Sequence, residues 1–171
     1  MSNEYKDWLE DLKSAPIGSE DHNRWLLIEY PWLGIEEDEA INYIDVEDDK
    51  VYTYLDCVPK GWMKLCEDLC AELKPLLKKA NFVEGYKLCQ VKEKFGGLRW
   101  YDASGVPEEI SAEYNALIRK YEKISFKTCV DCGAPAIYHS TGWIYPFCGY
   151  CAAHIGGEFI KISTGEKIFI E

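Results

Sequence analysis

The chain lacks most of the features that announce a destination or a reaction. No apolar stretch approaches the roughly 20 residues needed to cross a bilayer, which excludes a spanning helix. No apolar run with a cleavage site opens the sequence, so nothing points to secretion. Histidine is scarce, three in 171 residues, and none sits in the His-x-Glu segment that a zinc deaminase needs ahead of its Pro-Cys-x-x-Cys pair. A Gly-x-Ser-x-Gly elbow and a phosphate-binding P-loop are both missing. Basic residues are thin at the start: residues 1–58 hold 4 Lys/Arg against 16 Asp/Glu, whereas residues 59–171 hold 15 against 14. The net charge of −11 therefore belongs to the first third, which repels nucleic-acid phosphates and attracts basic protein surfaces. With no acid–base constellation in view, the expectation is a binding protein and not an enzyme.

Cysteine, by contrast, is plentiful, with eight residues. Four of them fall in KTCVDCGAPAIYHSTGWIYPFCGYCAAH, residues 127–154, as Cys129-x-x-Cys132 and Cys148-x-x-Cys151 with fifteen residues between the pairs. That spacing predicts a four-thiolate Zn²⁺ site, each pair curling so that both sulfurs face one ion. Gly133 supplies the permissive backbone such a turn needs. Four sulfurs complete a tetrahedral site, so His139 and His154 are left out of the ligand set. A closed site of this kind is structural, and two pairs at zinc spacing argue against a thioredoxin-like role for either one. Cys57, Cys66, Cys70 and Cys89 read as small apolar core residues, and the compartment expected is a reducing cytoplasm.

In chain order, the periodicity predicts a helix over 3–14, ended by Pro16 and Gly18, and a second one capped near Ser19 and closed by Pro31, with a short buried strand through the run Trp25, Leu26, Leu27 and Ile28 as the competing reading. His22 reads as a surface or capping residue. The acidic stretch 35–50 lacks the spacing of a calcium loop at Asp45, Glu47, Asp48 and Asp49. It predicts strands at 40–46 and 51–55 joined by an acidic tip. Residues 62–80 form the best amphipathic helix, with Pro75 kinking or dividing it. Gly96-Gly97 predicts a hairpin within 86–104 in which Phe95 opposes Leu98. Val91, Glu93, Phe95, Leu98 and Trp100 then share one face, and Lys92, Lys94, Arg99 and Tyr101 the other. This second face is a candidate site for a phosphate or an acidic segment. A helix over 107–123, a ribbon hairpin with Trp143, Tyr145 and Phe147 at alternate positions, and a hairpin over 159–171 complete the chain. In that last hairpin Ile160/Ile162 and Ile168/Ile170 are expected in phase.

The fold expected is α+β: an antiparallel-sheet body with two or three packed helices over 1–126, a four-cysteine zinc ribbon over 127–155, and a C-terminal hairpin over 156–171 packed on the body. Three segments, VPKGWMKLCEDL, QVKEKFGGLRWYD and KTCVDCGAPA…GWIYPFCGYC, resemble a family of small zinc-ribbon proteins from gut Firmicutes and their phages and prophages. That family has no assigned activity. The resemblance implies a mobile-element setting and a zinc ribbon fused to a small α/β body, but no reaction. Two functions fit these readings. One is a zinc-stabilised module whose acidic and aromatic surface binds and modulates or inhibits a host protein, a defence system among the candidates. The other is a nucleic-acid-binding regulator using Lys92, Lys94 and Arg99, which the net charge disfavours.

Overall fold

The computed structural model describes residues 3–35, 50–103 and 105–171. The expected strand at 40–46 and the four carboxylates weighed for calcium lie outside the described residues. Within them the chain is α+β, with five α-helices and two small antiparallel sheets.

Helices α1 (Asn3–Ser14) and α2 (Glu20–Glu29) pack together, and a 3₁₀ turn at Pro31–Leu33 ends the pair. Ser19 caps α2 by accepting the His22 N–H at 3.2 Å. His22 itself is not a surface residue. Only 3% of it is exposed, and its Nε2 lies 3.3 Å from Oε2 of Glu67. The imidazole beside it holds the Glu67 carboxyl below the usual range against the opposing effect of burial.

The strand expected at 51–55 is replaced by a 3₁₀ turn, Tyr54–Cys57. Local polar chemistry explains the difference. Asp56 Oδ2 accepts the Thr53 N–H at 2.7 Å, the Thr53 hydroxyl at 3.0 Å and the Asn23 side-chain amide at 3.0 Å. Thr53 Oγ1 in turn accepts the Leu55 N–H at 3.2 Å. These short-range bonds offer the backbone an alternative to a ladder, and they prevail over the alternation of Tyr52, Thr53 and Tyr54.

A further 3₁₀ turn, Lys60–Trp62, leads into α3 (Met63–Lys79), the central helix. Leu65, Cys66, Leu69, Cys70, Leu73 and Leu77 are buried along it. Burial pushes the Cys66 and Cys70 thiols up, so both stay neutral and serve as apolar filler. Cys89, by contrast, is exposed. Pro75 does not divide the helix. It lies on the exposed face, as does Ala71, whose carbonyl loses its intrahelical donor there and remains open to water.

Helix α4 (Glu108–Ser125) packs on α3. Tyr121 O–H donates to Glu72 at 2.8 Å, and Lys120 Nζ reaches both oxygens of the same carboxylate at 2.7 Å. The hairpin β1 (Leu88–Lys94) and β2 (Gly97–Asp102) lies against α4. Its register pairs Lys94 with Gly97 and Val91 with Trp100, so the two-residue turn is Phe95-Gly96 and not Gly96-Gly97. Both turn residues have positive φ, 53° and 78°. The shift from the expected register changes the sum of partner numbers by two, which preserves the faces of the other residues but takes Phe95 out of the strand and off the face expected for it. Val91, Leu98 and Trp100 are buried, and Phe95 projects from the tip.

Behind that face a polar chain runs through the core. Trp100 Nε1–H donates to the Tyr86 hydroxyl at 2.8 Å, and Tyr86 and Tyr114 are 3.0 Å apart, with Tyr114 O–H donating to Asp102 at 2.8 Å. Because Tyr114 gives its proton to the carboxylate, Tyr86 gives its own to Tyr114. Burial pushes both phenols up.

The second sheet has the order β4-β3-β5-β6, all antiparallel, from β3 (Tyr138–Ser140), β4 (Pro146–Phe147), β5 (Gly157–Lys161) and β6 (Lys167–Ile170). A short helix α5 (Gly149–Ile155) connects β4 to β5. Through the β3–β5 ladder the C-terminal hairpin is part of the ribbon's own sheet. Phe159 opposes Ile168 and Ile160 opposes Lys167, so Ile168 and Ile170 lie on the face of Phe159, opposite to Ile160. The apolar alternation alone could not choose between these registers; the four-residue turn at 162–165 does. No helix among the described residues is long and apolar enough to cross a membrane.

The Tyr114→Phe variant tests the polar chain. It leaves the Tyr86 hydroxyl without its acceptor and Asp102 Oδ2 without the Tyr114 donor, so urea unfolding should show a loss of about 1–3 kcal/mol with an unchanged slope.

Candidate metal centre

Two local structures bring the cysteines together. The first pair sits on a tight turn. Cys129 N–H donates to Ala134 C=O at 2.8 Å, Gly133 N–H returns to Cys129 C=O at 3.0 Å, and Thr128 bridges Pro135. Gly133 has φ 74°, which a side chain would strain. The second pair uses a helix start. Cys148 is the N-cap of α5, and its sulfur accepts the Cys151 N–H at 3.4 Å. Val130 N–H donates to Pro146 C=O at 3.0 Å and locks one turn against the other.

As a result the four sulfurs all lie within 4.8 Å of one another, and Cys132 and Cys148 are 3.6 Å apart. Metal–sulfur bonds of about 2.3 Å in a tetrahedron separate neighbouring sulfurs by about 3.8 Å, so the spacing fits one ion in the centre. Cys129, Cys148 and Cys151 are buried and Cys132 is exposed. Although desolvation raises the Cys148 thiol, the Cys151 N–H and the neighbouring thiols outweigh it and bring the group down to about 7. Desolvation and donation toward Cys148 push Cys151 the other way. The four cysteines form a group that can hold a metal ion.

The histidines stand apart from it. His139 Nε2 lies 3.1 Å from Phe126 O, and His154 Nδ1 lies 2.9 Å from Tyr150 O. Neither belongs to the cysteine group.

The body meets this centre through Gly61. Its N–H donates to Val130 C=O at 2.7 Å, and the Trp62 indole N–H donates to Thr128 C=O at 2.8 Å. A Cβ on Gly61 would fall 2.3 Å from Cys129 O and 2.6 Å from Gly133 N. Sequence reasoning missed this glycine. The available signal was its place just before a long amphipathic helix, where a capping side chain is expected.

Lys92, Lys94, Arg99 and Tyr101 lie on one face of the β1–β2 hairpin. Lys92 Nζ is 5.5 Å from the Tyr101 ring centre, Lys94 Nζ is 5.5 Å from that of Phe95, and Arg99 Nη1 donates to Leu98 C=O at 2.7 Å. None of the three cations pairs with a carboxylate among the described residues. The hairpin tip also touches the ribbon: Gly96 packs on Ile144, and the Trp143 indole N–H donates to Glu93 at 3.3 Å.

Comparison with protein-family models, with curated proteins and with solved structures finds no match to this chain.

Two measurements check the centre. Mass spectrometry of the purified protein should find one metal ion per chain, and Cys129→Ser with Cys132→Ser should abolish it. The same double variant should lower Tm by more than about 10 °C, because structural metal binding is folding energy. Gly61→Ala should cost about 1–3 kcal/mol or more, since the methyl meets backbone that no rotamer change can clear.

Proposed function

We propose that this chain is a zinc-stabilised protein-binding module, of the phage or mobile-element type its motifs resemble, that docks on a host protein and modulates it. Four thiolates and no open position suit Zn²⁺, which when bound supplies cross-linking and no redox chemistry. Thiols held ready for a metal also suit a reducing compartment.

The observation that carries the binding reading is Phe95. It occupies a left-handed turn position, φ 53°, that favours Gly or Asn, and it is 67% exposed. A large aromatic residue there contributes nothing to the core and costs about 1 kcal/mol of backbone strain. Strain without burial is the pattern of a residue kept for contact. Trp143, 66% exposed on the adjoining ribbon tip, and Ile144 extend the same apolar surface. Exposed aromatic residues are enriched among interface anchors. The α1 helix offers a second such region, where Tyr5 and Trp8, ring centres 5.7 Å apart, stand among Asp7, Glu10 and Asp11.

A nucleic-acid reading is favoured by one observation, the three cations on the Tyr101 face. The excess negative charge of the chain opposes it.

A tagged pull-down from a Firmicute host lysate, with and without nuclease, tests both. One stoichiometric protein should survive nuclease. Phe95→Asn should stabilise the fold by about 1 kcal/mol and yet weaken capture at least tenfold. Capture that vanishes with nuclease, or that ignores Phe95→Asn, would overturn the protein-binding reading at this surface.

A further inference from the structure

Strand β6 is the outer edge of its sheet, and its sequence is complementary to itself. In the β5–β6 ladder, Lys161 N–H donates to Glu166 C=O at 2.9 Å, and Phe159 opposes Ile168. Hydrogen-bonded pairs alternate along an antiparallel ladder. Residues 166, 168 and 170 therefore aim their backbone groups at β5, and Lys167, Phe169 and Glu171 aim theirs outward. Among the described residues no strand lies beyond β6.

We infer that two copies of this chain pair edge to edge through β6, about a twofold axis at Phe169. In that register the outward N–H and C=O of Phe169 bond reciprocally to those of Phe169 in the other copy. Lys167 then opposes Glu171 of the second copy, and Glu171 opposes its Lys167. Ile168 and Ile170 also meet across the axis. The order Lys-Ile-Phe-Ile-Glu is thus matched in charge, in side-chain class and in hydrogen-bonding phase by its own antiparallel image.

Each feature is odd for an edge that stays solitary. Solitary edges are blunted by a central charge, a proline or a bulge. Here the charges stand at the two ends, no proline or glycine occurs from Lys167 to Glu171, and Phe169 at the centre is 75% exposed. Pairing would lay the two Phe169 rings against each other and join two four-stranded sheets into one. The strand order sets β6 on the edge opposite β4, so the β3–β4 tip with Trp143 stays open to another partner. The inference is independent of the function proposed above.

Sedimentation equilibrium of the metal-loaded chain tests it, over concentrations from about 1 µM to about 1 mM. The mass should rise from 19.7 kDa toward twice that value. Glu171→Lys sets like charges against each other at both ends and should weaken the dimer roughly tenfold. Lys167→Glu combined with Glu171→Lys restores opposite charges in reversed order and should recover the affinity. Phe169→Pro removes an outward N–H that β5 does not use, so it should abolish the dimer with the metal content unchanged. A monomer at all concentrations would overturn the inference. So would a dimer indifferent to Phe169→Pro, or a double variant that fails to recover.

Discussion

At Gly61 the body of the protein touches the first cysteine turn with bare backbone. The contact has no side chain between its two halves: a methyl on Gly61 would lie 2.3 Å from the Cys129 carbonyl oxygen, and one on Gly133 would lie 2.8 Å from the Gly61 carbonyl oxygen. Two glycines are needed because two main chains must approach to hydrogen-bonding distance. The Gly61 backbone N–H and the Trp62 indole N–H then bond to the Val130 and Thr128 carbonyls, at the first cysteine turn, at 2.7 and 2.8 Å. Trp62 is completely buried, so its indole N–H must have a partner or carry the full cost of desolvation. The loop that provides that partner keeps its shape through the cysteines. Helix α3 begins at the next residue, which makes the first cysteine turn one boundary of the central helix and not an appendage to it.

The same economy appears at the other contact between body and ribbon. Gly96 and Gly97 let the β1–β2 hairpin sit beneath Ile144 and Phe126, where a Cβ would fall 3.0 and 2.4 Å from those side chains. Leu98 N–H finds its acceptor in Ser125 Oγ at 2.8 Å, at the end of α4 and two residues before the ribbon. The hairpin is therefore gripped from both sides, and its tip has little freedom to relax. That rigidity is what allows Phe95 to remain in a left-handed conformation. A loose tip would slip to a turn without the strain.

How far the sequence is legible depends on the range of the forces involved. The cysteine pairs, the amphipathic stripe from Leu65 to Leu77 and the Ser19 cap are local patterns, and each appears where the spacing predicts it. The hairpin at 88–102 is legible in its faces but not in its turn, because Gly96-Gly97 and Phe95-Gly96 give the same alternation. Phe95 in the turn contradicts residue preference. Thr53 and Asp56 defeat the strand reading because their bonds to each other and to Asn23, thirty-three residues from Asp56, are invisible to periodicity. His22 is buried for a similar reason: its partner Glu67 lies on a different helix. Gly61 was the largest omission, since its importance exists only in the space between two segments that are far apart in the chain.

The ribbon's own core shows what a metal and a platform would each contribute. Its buried side chains are Val130, Ala136, Phe147, Ala152 and Phe159 together with three of the cysteines. The principal apolar contacts are edge-to-face or tilted pairs of Phe159 with Phe147 and Tyr138, each with ring centres 6.0 Å apart. Segments of this size bury too little apolar surface to offset the entropy of ordering them, and small domains of about 40 residues commonly need a metal or a cross-link. Without an ion, the cysteines add only small thiols to that core. With one, the four sulfurs join the turn at Cys129 to the start of α5, and the turn then presents the carbonyls that Gly61 and Trp62 require. Loss of the ion would therefore not release the ribbon alone. It would remove the partner of a fully buried tryptophan at the head of the central helix, and the ribbon and the body should unfold as one cooperative unit.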